Sequence, residues 1–372
     1  MSSSPPLVSA GRGDPVKPQF NGDNRFQHEL RRRIDEHFSV TGQRSRDNPS
    51  LYLKTALILC VFAASYVGLV GWASTLWQGL LYAVVLGIAT AAIGFNIQHD
   101  GGHQAFSRHR WINRTMAATL DLIGGSSYIW HWKHAHFHHT YVNIDGHDSD
   151  IDLGILARLA PTQRHRRMHR WQHYYLWLLY AVTAIRWHLY GDFRDLITGK
   201  IGERRFPRPR GWNLVVLIGG KLVFFALAFG VPLLYHPFGV VLGFYLLVAA
   251  ITGLLLALVF QLAHVVEDAR FVSTAPASPR IERAWAAHQL DATVDFAQDN
   301  RALSWLIGGL NFQIEHHLFC RVSHVHYRAL APLVAATCHD FGMPYRHHPN
   351  LRAGIVSHYR WLKHMGLPLA SS

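Results

Sequence analysis

Cysteine is scarce in this chain: Cys60, Cys320 and Cys338 are the only three in 372 residues, an odd number with no paired spacing. That excludes a disulfide framework and a thiolate metal site, and it leaves a reducing, cytosol-facing protein as the expectation. Charge is thin as well, at 16% of residues against 49% hydrophobic, too little for the solvated surface of one soluble domain. Acid is scarcer than base, 23 residues against 36, giving a formal net charge of +13. Nucleic acid is the first polyanion such a balance suggests. The basic run 164–170 is followed by Trp171, Tyr174, Tyr175 and Trp177, however, which suits anionic lipid headgroups and excludes a nucleic-acid partner. A leader is missing too: residues 1–20 are rich in Ser, Pro and Gly with no apolar core, so 1–25 reads as a disordered tail.

What the chain has in quantity is long apolar runs. Four stretches, 55–72, 76–97, 212–235 and 238–262, are each long enough for a helix that crosses about 30 Å of hydrocarbon. The connectors 73–75 and 236–237 leave room only for tight turns, which predicts two helical hairpins. Neither tip has a Lys or Arg, whereas the first 50 residues, 99–211 and the segment after His264 are rich in Arg. The positive-inside rule therefore puts those three regions, both termini included, in the cytoplasm. Trp72, Trp77, Trp212 and Tyr235 stand near the span ends, where aromatic belts form. Lys221 falls inside the third span, where it must snorkel or face the bundle interior. Two weaker segments, 116–130 and 174–189, are interrupted by Asp121 and by Arg186 with His188, and read as helices at the interface or under the cap. Within 26–50, taken as an amphipathic helix and linker, Phe26, Leu30, Ile34 and Phe38 recur every four residues with Arg31, Arg32 and Arg33 between them. A membrane-surface helix and a more specific role remain equal readings. Residues 51–372 form the main domain.

The 27 histidines are clustered. His99 and His103 share a helical face at i and i+4 just beyond the second span, the spacing that lets two imidazoles reach one ion. His134 and His138 repeat it, and His139 is turned by about 100° from His138, so this trio suits two ions. His136 points away from them. His316 and His317 form the third cluster, and His264 ends the fourth span. Eight histidines exceed what one ion coordinates, so two ions are implied, and imidazole alone does not name the metal. Zinc hydrolysis seldom uses so many neutral nitrogens without a carboxylate base. Oxidation at a membrane surface fits better. The fold class expected is an all-α membrane protein whose helical cytosolic cap holds a di-metal site. Asp148, Asp150, Asp152, Glu267, Asp268 and Glu315 are candidates to accept the second ring N–H of a bound histidine. His147, His165, His169, His173, His324, His326, His347 and His348 read mostly as surface residues.

His-Asp-Gly-Gly-His at 99–103, His-Ala-His-Phe-His-His at 134–139 with Thr140-Tyr-Val-Asn following, and Gln-Ile-Glu-His-His-Leu-Phe at 313–319 resemble the three histidine boxes of membrane fatty acid desaturases. The likeness runs over 26–326. It implies a nonhaem di-iron centre that uses O2 to remove two hydrogens from adjacent methylenes of an acyl chain. His99, His103, His134, His138, His139, His264, His316 and His317 match the family's ligands. Gln313 opens the third box as in front-end desaturases, where it is a weak ligand or a donor beside the metal. The resemblance further implies Δ6-type action on an unsaturated C18 acyl lipid or acyl-CoA, in a tunnel whose length sets the bond position. No His-Pro-Gly-Gly haem motif is present, so the likeness is to the stand-alone form. No flavin or iron–sulfur motif is present either, which predicts a separate electron donor, a ferredoxin or cytochrome b5. Cys320 stands where relatives have proline, which puts the local turn in question. A di-iron hydroxylase or acetylenase on the same scaffold is the alternative. A metal transporter is disfavoured because its ligands belong near the bilayer midplane. A haem-binding electron carrier is the third rival, separable by its optical spectrum.

Overall fold

The computed structural model describes residues 17–273 and 280–368. Its longer helices are α1 (Arg25–Thr41), α2 (Pro49–Trp72), α3 (Leu76–Gly102), α4 (Gln172–Ala181), α5 (Trp212–Leu234), α6 (Phe238–His264), α7 (Tyr327–Asp340) and α8 (Leu351–Met365). Of the tail expected over 1–25, residues 1–16 lie outside the described residues, and the remainder is built into the fold. Gln19–Phe20 pairs in parallel with Arg280–Ile281. The apolar face of α1, Phe26, Leu30 and Ile34, is buried against Leu330, Val334 and Cys338. The membrane-surface reading of this helix is thereby corrected. Its stripe meets the matching apolar face of α7 instead of lipid.

Local chemistry starts the spans. Pro49 stands at the first position of α2, where its missing N–H is no loss, and the Asn48 side chain accepts from Ser50 N. Thr75 and Gln78 form a reciprocal capping box on α3. Four helices, α2, α3, α5 and α6, are long and apolar enough to cross a membrane. The segments 116–130 and 174–189 break into shorter helices and are not among them. Trp72, Trp77, Trp212 and Tyr235 are all exposed, as belt residues should be.

Helix α3 is the centre of the bundle: 67% of its apolar window is buried, against 17% for α5. It packs on α2 along one side and on α6 along the other. Helix α5 stands apart, resting on Thr119–Leu122 and reaching α6 mainly through its closing turns at 226–234. An apolar cavity of about 590 Å³ separates it from the other spans, with Tyr66, Leu86, Phe224 and Phe244 on its walls.

What holds α5 to the cap is Lys221. Its Nζ lies 2.8 Å from Asp192 Oδ2 and donates to Gly124 O at 2.6 Å. Both side chains are largely buried, so Lys221 faces the bundle interior and does not snorkel. Removing one partner of such a pair leaves an uncompensated buried charge, at a cost of about 3–5 kcal/mol. Asp192→Ala should therefore lower the unfolding midpoint in detergent markedly, and Lys221→Met combined with Asp192→Leu should recover most of the loss. An Asp192→Ala midpoint equal to that of the wild type would show that the pair contributes nothing.

Candidate metal centre

The second span does not stop near residue 97. A π-helical turn over Gly94–Gln98 carries α3 on through His99–Gly102. Asn96 Nδ2 donates to Ala92 O and to Leu306 O, both at 2.9 Å, which fastens the widened turn to the neighbouring loop. Such turns gather at functional sites. The two glycines of the first box are spacers. A Cβ on Gly102 would lie 2.2 Å from Trp130 Cζ3, and one on Gly101 would lie 2.6 Å from Ala117 N. A side chain at 102 would collide with Trp130, and one at 101 with the helix through Asn113–Ala117, so His99 and His103 could not keep their place.

The second box is also π-helical, over His131–His138, where the sequence spacing had assumed an α-helix. His134 and His138 stack with centroids 5.1 Å apart and an interplanar angle of 19°. His139 is turned 84° from each, and His136 is exposed. The third box sits on Gln313–Leu318. Asp295 Oδ1 accepts Ile314 N at 2.8 Å, and Tyr345 Oη lies 2.9 Å from Glu315 Oε1. Burial and the neighbouring Asp295 carboxylate push the Glu315 carboxyl well above its usual range, and its bond to Tyr345 straps the box in place. Val322 N donates to Phe319 O at 2.8 Å, so the turn through Cys320 closes without proline.

All eight histidines then meet. Their donor nitrogens lie within 4.8 Å of one another in three overlapping groups: His99, His103, His134 and His316; His138, His264 and His317; His139, His316 and His317. Six ring nitrogens are buried with no hydrogen-bond partner, Nε2 of His103, His134, His138 and His317 and Nδ1 of His99 and His139. Each such orphan costs about 1–3 kcal/mol. His139 and His316 bring Nε2 atoms to 3.0 Å, close to the spacing of two nitrogens each about 2.1 Å from one ion. The donor set fits metal.

The opposite ring nitrogens are held. His138 Nδ1 lies 2.9 Å from Asp148 Oδ2, His317 Nδ1 lies 2.8 Å from Gln289 Oε1, His264 Nδ1 faces Ala292 O at 3.2 Å, and His316 Nδ1 lies 3.1 Å from Tyr327 Oη. With Nδ1–H donating outward, each Nε2 lone pair points into the cluster. Burial first, and the neighbouring imidazoles second, hold His103, His139, His316 and His317 well below the usual imidazole value. For His138 burial acts the same way, but Asp148 and Asp150 outweigh it and leave the ring raised. Gln313 is buried and faces the same cavity as His99, His134 and His316.

A family model for fatty acid desaturases matches residues 74–349. The chain belongs to the fatty acid desaturase family. It is 36% identical over 353 residues to the sn-1 linoleoyl-lipid 6-desaturase of Arthrospira platensis, covering 94% of this chain and 95% of the relative. The corresponding protein of Synechocystis sp. is 37% identical, at 94% and 97% coverage. An acyl-lipid (8-3)-desaturase of Physcomitrium patens is 35% identical over 91% of this chain and 71% of its own length.

In this desaturase five of the six candidate acids make no direct hydrogen bond to a clustered ring. Asp152 accepts from Gly154 N in its own loop, and Glu315 is tied to Tyr345. Glu267 faces Arg360, and Asp268 lies 3.8 Å from His348. Asp150 lies 3.9 Å from His134 Nδ1 and pairs with Lys133 at 3.0 Å. Asp148 alone makes a direct bond. The sequence reading missed Gln289 and Tyr327, and of the histidines it took as mostly surface, His147, His169, His173 and His348 are buried, as are His324 and His326 in the family-like stretch. His324 bridges Asp100 Oδ2 at 2.9 Å and Lys54 Nζ at 3.1 Å. Asp148→Asn weakens the outward hold on His138 without altering any clustered nitrogen. Metal affinity, followed by chelator competition and elemental analysis, should fall about 10- to 100-fold; unchanged affinity would mean that Asp148 merely fills space.

Proposed function

We propose that this desaturase inserts a double bond on the carboxyl side of an existing one in a C18 acyl chain, at the Δ6 position. The observation that carries this reading is a cavity of about 550 Å³ that runs from the cap rim to His99, His134 and His316. Apolar side chains, Phe95, Leu120, Ile123, Leu179, Leu256, Val259, Phe260 and Leu310, make up most of its inner wall. Two irons would be held by His99, His103, His134, His138, His139, His264, His316 and His317, with Gln313 beside them. When bound they supply the O2-dependent removal of hydrogen from a methylene pair.

The chain's own residues do the rest. The apolar wall excludes water and lays the acyl chain against the histidine cluster, so the carbons nearest the rings are those presented for reaction. Asp148, Gln289 and Tyr327 keep the rings in one tautomer. Ile123 belongs to both this cavity and the one beside α5, so the methyl end of the substrate has apolar space beyond it. In this reading the cap, the histidine boxes and both termini face the cytoplasm, and the spans form two hairpins.

Regiochemistry is tested by feeding linoleate and α-linolenate to an expressing host. The new bond should lie at the same distance from the carboxyl carbon in both products. A bond at constant distance from the methyl end, or one formed readily in stearate, would exclude front-end action and leave the desaturase class untouched.

Electrons come from a separate carrier, an acidic ferredoxin first and cytochrome b5 second, because the formal charge of +13 favours an acidic partner. Turnover at limiting carrier should then fall as salt rises, since exposed charges are screened within about 8–10 Å near physiological ionic strength. A rate indifferent to salt would remove the electrostatic argument.

A further inference from the structure

The rim of the 550 Å³ cavity is charged, with Lys133, Arg186 and Arg194 lining it together with the carboxylates of Asp150 and Asp152. Two of these cations are already paired: Lys133 Nζ lies 3.0 Å from Asp150 Oδ1 and Arg194 Nη1 lies 3.4 Å from Asp195 Oδ1. Arg186 is exposed and makes no ion pair or hydrogen bond through its side chain among the described residues. Its guanidinium stands at the entrance to the desaturase cavity, within electrostatic reach of Asp195 and Lys133 but bonded to neither.

The surface around it is apolar. Trp171, Tyr174, Leu178, Val182, Leu189 and Tyr190 are all exposed. They follow one another at helical spacing along α4 and its continuation through Thr183–Arg186 and Trp187–Gly191, and Arg186 takes the place four residues after Val182. A row of this composition is costly in water and stable at the boundary between headgroups and acyl chains. A lone arginine in it stands at the depth of lipid phosphate, whose oxygens match the guanidinium fork.

We propose that Arg186 binds the phosphate of a membrane glycerophospholipid, one of whose acyl chains extends down the cavity to His99, His134 and His316. The proposal rests on the function read above and names its substrate class. A soluble acyl thioester also carries phosphate, but it arrives from water and has no use for an apolar apron around the entrance. The lipid slides in from the bilayer plane, and the anchored headgroup sets the distance from the ester to the reacting carbons.

The test reconstitutes the enzyme with an electron carrier in liposomes and compares linoleoyl-phosphatidylglycerol with a neutral galactolipid bearing the same chain. Wild-type protein should prefer the phospholipid, and Arg186→Gln should reduce that preference in kcat/KM about ten-fold, the worth of one charge-assisted contact. Arg186→Lys should retain part of it. Native mass spectrometry of purified protein, read without turnover, should show phosphatidylglycerol retained over galactolipid and the difference lost in Arg186→Gln. Equal losses on both lipids, an unchanged preference, or linoleoyl-CoA used as readily as the phospholipid would overturn the proposal. So would a change confined to the KM for the electron carrier, which would make this face the carrier's dock. Phospholipid retention without a new double bond would overturn the desaturation reading and leave the headgroup site standing.

Discussion

Imidazole lone pairs repel one another and attract protons, and this fold packs eight such rings where water is excluded. One proton on His139 would face His103, His316 and His317 at ring separations below 5 Å. For most of the rings burial disfavours the proton, His138 beside Asp148 being the exception, and buried nitrogens are left unsatisfied. Cations are the only groups that satisfy many converging lone pairs at once. The cluster is therefore suited to metal, and an ion held there would link loading to folding of the cap.

Reaching that density requires departures from regular helix geometry. A straight α3 ending at residue 97 would leave His99 and His103 in loop, and an α-helical second box would set His134 and His138 in a different angular relation. The π-helical turns at Gly94–Gln98 and His131–His138 supply the correction, and Gly102 lets the first segment close on Trp130 at the head of the second, while Gly101 lets it close on Asn113–Ala117. Each irregularity is held by a partner outside its own helix, as Asn96 shows with Leu306 O. Wide turns also occur at Gly68–Trp72, Trp187–Gly191 and Ala226–Gly230, but only the two in the boxes carry clustered histidines or lead directly into them.

This division explains what was legible in the sequence. Span existence, box membership and the exposure of His136 follow from hydropathy and from residue spacing, which the chain carries on its face. The π turns do not, because an i→i+5 turn has no composition of its own. Gln289 and Tyr327 were hidden for another reason. Each belongs to a segment with a routine pattern, and only tertiary packing brings it to a ring nitrogen. The acids failed in the opposite way: proximity in sequence made Asp152 and Glu267 look useful, while Asp148 alone has the turn geometry to reach a ring. Helix α1 was ambiguous in principle, since an amphipathic stripe does not say whether lipid or protein covers it.

Front-end action asks for a fixed distance between a lipid's polar end and the reacting carbons, so some part of the protein must resist stretching along that line. The cavity wall is a poor ruler, being apolar and shared at Ile123 with open space beside α5. Buried charge is a better one. Asp192 closes the segment that begins after Arg186, and Lys221 fastens it to α5 and to Gly124 O. On the metal side Asp100 takes bonds from Ser323 Oγ and His324, with Lys54 of α2 behind them, so the first box cannot slide along its span. Apolar contacts tolerate small shifts, whereas a buried charge moved off its partner meets a steep penalty. The rim and the histidine cluster are thus each locked to a span by charge, and the bundle between them transmits the spacing.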